Sequence, residues 1–327
     1  MKKILIIQTA STGDVILATA LIESLHRADP EASIDFLVKK GNETLFTGHP
    51  FIHEIITWDK RSEKYGRLFR VIRQARQKKY DLVVNIQRFF STGLLTVLSG
   101  ARETRGFSRN PLSILFTRRV KHLIGRGVHE VSRNHALIND LAESGHLQPR
   151  LYPSPADETV VDPIVTGTFY TISPASLWFT KQYPVVKWIE LIRQIPGDAR
   201  IYLLGAPADQ PMCEEIILKA GHPGVISLAG KLSFLQSAAL MKRARMNFTN
   251  DSAPMHLASA VNAPVTAIYC STIPGFGFGP LSSDAAIVEI GTSLACRPCG
   301  LHGYTACPEK HFQCALGIES QQLTKRL

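Results

Sequence analysis

Several loops of this chain gather side chains that can bind or move charge. The richest is Thr249-Asn250-Asp251-Ser252-Ala253-Pro254-Met255-His256, where an apolar strand stops at polar cap residues and Pro254 suits the first turn of a helix. A helix start offers free amide groups and partial positive charge, which together seat a phosphate. Ser252 adds a hydroxyl there and His256 a donor one turn further in. An ordinary capped helix with a surface histidine uses the same residue types, but donors on successive positions at a strand end are less common. Lys181, in the loop 173–184 (SPASLWFTKQYP), is placed to meet a diphosphate, although viewed alone it reads as a surface lysine. Asp209 closes LLGAPAD at another strand end, where it can accept hydrogen bonds from ribose hydroxyls. These strand ends converge on one nucleotide-sized site.

The first strand-to-helix turn, TASTGD at 9–14, lies where α/β folds place ligands, at the carboxyl end of a strand. Asp14 there either caps free backbone amides or serves as a general base. The turn has one glycine and contains neither G-x-G-x-x-G nor G-K-[ST], which argues against a nicotinamide enzyme and a P-loop nucleotidase. Near the other end, Cys296, Cys299, Cys307 and Cys314 are spaced C-x2-C-x7-C-x6-C. Four thiols within 19 residues can form a structural zinc or iron site, with His302 and His311 as alternative ligands. Free or paired thiols are the other reading, and Cys213 and Cys270 read as small buried residues.

The elements that must position these groups follow from the pattern. A length of 327 residues suits two domains, and 45% hydrophobic with 20% charged residues is a globular composition. The longest apolar runs have strand length and none approaches the ~18 residues of a membrane span. The first residues, MKKILIIQ, turn polar too early for a secretory signal and read as a first buried strand, so a cytosolic protein is expected. Strands and helices alternate: a helix follows Asp14, strands occur at SIDFLV and HEIITW, a basic amphipathic helix spans 60–79, and YDLVVNIQ is a central strand. Residues 102–128, rich in Arg, Gly and Ser, read as loops around short elements, and 129–145 as a helix closed by Gly145. The proline-rich stretch 151–168 reads as a linker, after which the alternation restarts. The expectation is two Rossmann-like domains, 1–160 and 161–327, facing each other across a central cleft.

Charge is unevenly spread. The net charge is +10, and residues 60–133 hold 18 basic against 4 acidic side chains. Such a surface suits an anionic partner, whether nucleic acid, anionic lipid or a phosphorylated substrate, or is simply a solvated face. A nucleic-acid-binding module is the less favoured reading, because the stretch lacks interleaved aromatics or a helix-turn-helix pattern.

The motifs together resemble glycosyltransferase family 9, the ADP-heptose:lipopolysaccharide heptosyltransferases, over essentially the whole chain. The resemblance is carried by QTASTGDVILATALIESL, Lys181-Gln182-Tyr183-Pro184, LLGAPAD, LAGKLSFLQSAALM and NDSAPMHLASAVNAPVTAIYCSTIP. It implies the GT-B fold and an inverting transfer of a heptose from ADP-heptose to the inner core of a lipopolysaccharide precursor. By resemblance Asp14 is the catalytic base, Lys181 the phosphate lysine, Asp209 the ribose contact and Leu232 the adenine contact. Asp251, Ser252, Ala253 and His256 match the donor-binding turn. Ala253 stands where the family usually has Gly, and Tyr183 where Trp is common. Thr12, Gly13, Arg105 and Arg133 are expected on the acceptor, with the donor held by the second domain. No cofactor is implied for catalysis, and the basic region is expected to hold the anionic acceptor and touch an anionic membrane at the inner face of the inner membrane. A family 9 enzyme with another sugar donor or acceptor is the alternative.

Overall fold

In the computed structural model the described residues are 1–60, 64–143, 145 and 147–327, with 64 and 65 described by backbone only. The expected start of the basic helix at 60–63 and the segment around 144 therefore lie in part outside them. The chain divides into two compact units, Met1–Tyr152 and Pro153–Leu327.

The first unit runs β1 (Lys3–Gln8), α1 (Thr12–Ala28), β2 (Ser33–Lys39), β3 (Glu54–Trp58), α2 (Lys64–Lys78), β4 (Leu82–Asn85), α3 (Phe90–Leu98), β5 (Glu103–Phe107), β6 (Arg118–Val120) and α4 (Glu130–His135). The sheet order is β3-β2-β1-β4-β5-β6 and every pairing is parallel. Ile4, Leu5, Ile6 and Ile7 are all buried, as a strand covered on both faces requires. One layer of the core joins Leu5, Ile7, Leu37 and Trp58 to Leu68, Ile72 and Ala75, the apolar face of α2.

The second unit runs α5 (Pro155–Val161), β7 (Phe169–Ser173), α6 (Val185–Ile192), β8 (Arg200–Leu203), α7 (Gln210–Ala220), β9 (Val225–Ser227), α8 (Phe234–Arg243), β10 (Met246–Asn250), α9 (Ala253–Ala260), β11 (Val265–Tyr269), β12 (Ala285–Glu289), α10 (Gln313–Leu316) and α11 (Ser320–Thr324). Its parallel sheet has the order β12-β11-β10-β7-β8-β9. Counted from its own first strand, each unit has the order 3-2-1-4-5-6, so the two are Rossmann-like and share one topology. Tyr170, Ile172, Phe248, Trp188 and Ile192 form the centre of the second core.

Two local expectations change, and the short elements expected within 102–128 take their form. Residues 129–145 do not form one helix: α4 ends at His135, and a series of turns follows. The cause is tertiary, because the buried Arg105 guanidinium donates to the Leu137 carbonyl (2.9 Å) and to both oxygens of Asp140, holding that backbone off the helical path. Within the Arg-rich stretch 102–128, β5 and β6 are true sheet strands. The proline-rich stretch 151–168 contains α5, closed by a Ser154–Asp157 capping box and packed on α8, so the unit boundary falls before it.

Candidate active site

The parallel pairing sets the carboxyl ends of β7, β10 and β11 level, with Thr249 opposite Ser173 and Asn250 opposite Ile268. The order reverses between β7 and β10, and at such a switch point an open α/β sheet holds its ligand. Asn250, fully buried at the end of β10, organises the loop beside it. Its side-chain amide donates to the Pro174 carbonyl (2.8 Å), and its oxygen accepts from the Tyr183 amide (2.8 Å). Both ends of the Lys181 loop are thereby fixed. The Lys181 ammonium lies 2.6 Å from an Asp251 oxygen, and the Thr272 hydroxyl donates to that same oxygen at 2.6 Å. Ser252 takes the N-cap position of α9, Pro254 sits in the first turn and His256 is buried one turn in. Lys181, Asp251, Ser252, Ala253 and His256 thus form one neighbourhood: a cation beside the start of a helix.

Asp209 and Leu232 belong to the adjoining strand ends. Asp209 accepts from the Ala206 amide (2.7 Å), closing the turn after β8. The Gly230 amide donates to the Gly205 carbonyl (2.9 Å), which ties the turn carrying Leu232 to the turn carrying Asp209. Gly230 has φ +72 and packs on Pro207, so a side chain there would be strained and would crowd the turn. Sequence reasoning missed Asn250 as an organiser and gave Thr272, inside a quoted motif, no role. Asn250 lay inside a motif already singled out, and its signal was a polar residue closing a central strand. Thr272 has no local signal, since only the pairing of β10 with β11 brings it to Asp251.

In the first unit Asp14 sits in the first turn of α1 and accepts from the Ser11 amide (3.2 Å) and hydroxyl (2.6 Å). The carboxylate is held as a cap at the carboxyl end of β1. Asn42 braces this turn, accepting from the Thr12 hydroxyl (3.2 Å) and donating to the Ala10 carbonyl (3.4 Å), while Gly13 is buried behind it. Lys60 donates to the Thr9 hydroxyl (2.7 Å) and lies 4.7 Å over the Trp58 ring. Arg105 and Arg133, expected on the acceptor, are both buried and engaged within the protein. Arg105 pairs with Glu103 and Asp140, and Arg133 with Glu130. Neither guanidinium faces solvent, so their charge supports the fold and they are set aside as acceptor contacts.

The metal expectation also meets the geometry. Among the described residues, the one converging group of three or more ligand-type side chains is Asp35, His53 and Glu54. Lys78 lies 2.7 Å from Asp35 and also contacts Glu54, so an ammonium already supplies the positive charge there. Cys296, Cys299, Cys307 and Cys314 form no such group, although Cys296 Sγ lies 3.8 Å from His311 Nε2. Burial pushes the Cys314 thiol up to about 11, and burial with neighbouring thiols raises Cys299. The four cysteines lie near enough to act on one another, but their thiols are not drawn together as a ligand set in this structure.

A switch-point site with a lysine and a helix start in one Rossmann-like unit, and a carboxylate at the matching edge of a second, defines the architecture of a GT-B glycosyltransferase. The chain belongs to glycosyltransferase family 9 (heptosyltransferase), whose family model matches residues 68–302. It is 28% identical over 275 residues to lipopolysaccharide heptosyltransferase 3 of Escherichia coli, covering 80% of this chain and 81% of that protein. Among solved structures it is similar to the glycosyl transferase family 9 protein of Veillonella parvula DSM 2008, with a TM-score of 0.88, 21% identity and coverage of 99% and 96% of the two chains. The E. coli ADP-heptose lps heptosyltransferase II gives a TM-score of 0.80 at 23% identity, covering 100% of this chain and 97% of that one. The protein is therefore an enzyme of sugar transfer.

Proposed function

We propose that this enzyme transfers a heptose from ADP-heptose to the inner core of a lipopolysaccharide precursor, inverting the anomeric centre and using no catalytic metal. The relatives named for lipopolysaccharide and ADP-heptose support the substrate classes. The observation that carries the chemistry is the Lys181–Asp251 pair at the start of α9. When the donor binds, the ammonium and the backbone at the start of α9, at Ser252 and Ala253, receive its diphosphate, while Asp209 takes the ribose and the Leu232 turn the adenine. Positive charge held ready at that point stabilises the departing ADP as the bond from anomeric carbon to phosphate oxygen breaks. The acceptor hydroxyl oxygen forms the new bond from the opposite face, and its proton passes to Asp14. The Asp14 cap fixes the direction of that carboxylate.

The first unit is assigned the acceptor and the second the donor. Exposed Arg70, Arg73 and Arg76 on α2 suit an anionic core oligosaccharide. Exposed Phe89, Phe90, Ile114 and Leu115, in the same stretch of sequence as exposed Arg109, Arg119 and Lys121, support peripheral contact with anionic lipid at the inner face of the inner membrane. No helix of the described residues is long and apolar enough to cross a membrane.

Two substitutions test the reading. Asp14→Asn keeps the shape and the cap but removes basicity, so turnover should fall roughly 10²–10⁴-fold while ADP binding holds. Near wild-type turnover would sink the base. Lys181→Ala removes a charge-assisted contact of about 1.5–3 kcal/mol, so ADP affinity should drop by about one to two orders of magnitude in calorimetry. Assay of a panel of nucleotide sugars with defined acceptors separates ADP-heptose from another donor.

A further inference from the structure

Thr180, the residue before Lys181, is the most heavily tied position of its loop. It is 1% exposed. Its amide donates to the Tyr304 carbonyl (3.1 Å), and its carbonyl accepts from the Ser271 amide (3.2 Å). Its hydroxyl oxygen accepts from the Tyr304 amide (2.8 Å) and from the Ser271 hydroxyl (3.0 Å). Ser271 in turn accepts from the Cys299 amide (2.9 Å). Arg297 fastens the same segment to the end of β11, donating to the carbonyls of Cys270 and Thr272, both at 2.7 Å, and pairing with Glu289 at 2.6 Å. Gly303 has φ +80, and a Cβ placed there would lie 2.9 Å from the Thr180 hydroxyl oxygen and 3.0 Å from Lys181 Cγ. The cysteine-rich segment therefore packs onto the backbone and stem that carry the Lys181 ammonium. It also grips the strand end from which Thr272 reaches Asp251.

We propose that residues 297–304 clamp Thr180 and so aim Lys181 at the donor's diphosphate, which makes Thr180 a positioning residue for donor binding. The inference rests on Lys181 being the diphosphate lysine. A lysine is a point charge on a flexible stem with four rotatable bonds, so the place its charge reaches depends on how firmly its base is held. A misplacement of about 1 Å in a binding group can cost roughly 100-fold in function. The clamp also gives the segment a role that needs no metal: hydrogen bonds from backbone and hydroxyl groups hold it in place. Loss of the Thr180 hydroxyl would leave the Tyr304 amide and the buried Ser271 hydroxyl facing a methyl group, and the loop would move to recover partners.

The test measures ADP and adenosine binding to the full chain by calorimetry, alongside melting temperature. Thr180→Val and Gly303→Ala should each weaken ADP binding about tenfold and leave adenosine binding unchanged, because adenosine has no phosphate for Lys181 to meet. Thr180→Ser, which keeps the oxygen, should bind ADP like the wild type. Lys181→Ala is the reference. If Lys181→Ala loses ADP affinity while Thr180→Val and Gly303→Ala do not, the clamp is overturned and the diphosphate reading stands. Should Lys181→Ala bind ADP normally, the diphosphate reading itself falls. Equal losses for ADP and adenosine in Thr180→Val would mark a purely structural role and also overturn the proposal. Gly303→Ala presses on the Thr180 hydroxyl oxygen and the Lys181 stem from the 297–304 segment itself, so it tests the segment's hold on Lys181 even where Thr180→Val does not fold.

Discussion

Asp14 and Asp209 occupy equivalent local positions, each accepting from the amide three residues earlier at the start of a helical turn. Capping and chemistry are compatible, because a carboxylate has about four lone-pair sites and the cap uses few of them. The cap is how the sequence directs a carboxylate at a strand edge. Asp209→Asn should keep the cap and stability, whereas Asp209→Ala should lower stability by about 1 kcal/mol, read from denaturant midpoints. His49 is a residue whose environment sets pH behaviour. Burial depresses it to about 4, with Nε2 3.8 Å from Glu23, and its ring packs edge-on against Tyr152. It is neutral when folded but gains a proton in the unfolded chain near its ordinary value of about 6.5. Its contribution to stability is therefore full above about 6.5 and is lost as pH falls toward 4, by about 3 kcal/mol at most. Glu23, raised by burial, works in the opposite direction as it takes up a proton. His49→Leu should flatten the fall in melting temperature between pH 6.5 and 4.5, and an unchanged slope would remove His49 as its cause.

At the scale of elements, the turn into α1 is held by a residue from another strand connection. Asn42 joins the Thr12 side chain to the Ala10 carbonyl. Asn42→Ala should lower kcat severalfold through Asp14 while leaving the ADP dissociation constant unchanged, a split that calorimetry and steady-state rates resolve together. The sequence made the central strands and their helices legible because β1 and β4 are nearly continuous apolar runs, β7 and β10 carry aromatic residues just before polar turns, and the helices between them carry a periodic face. The edges were less legible. β5 and β6 are Arg- and Gly-containing strands whose pairing is set by neighbours, with Gly106 lying against Phe116 so closely that no side chain fits there. The short α4 depends on Arg105, thirty residues or so upstream, and no local pattern reports such a partner. Among the candidate residues of the two units, Asp14, Lys181 and Asp251 stand out by motif position. Thr180, Ser271 and Thr272 do not, since β11 and the 297–304 segment place them.

Across the whole molecule, charge divides by unit. Residues 1–152 hold 24 basic and 14 acidic side chains, whereas 153–327 hold 13 of each, so the first unit carries the entire net charge of +10. On α2, Arg70, Arg73 and Arg76 recur every third residue, are exposed and make no ion pair among the described residues, while Arg67 pairs with Asp59. Exposed charges act over roughly 8 Å at physiological ionic strength and are screened beyond it, whereas the half-buried Lys181 is screened less. The assignment of acceptor to the first unit and donor to the second thus predicts two different salt responses. The apparent KM for an anionic acceptor should rise steeply between low and physiological salt, and the ADP dissociation constant should rise only modestly. Replacing Arg70, Arg73 and Arg76 by Gln should raise acceptor KM several-fold at low salt, flatten its salt dependence and leave ADP binding as it was. If the triple variant instead loses ADP affinity and keeps its acceptor KM, the division of labour between the units is reversed.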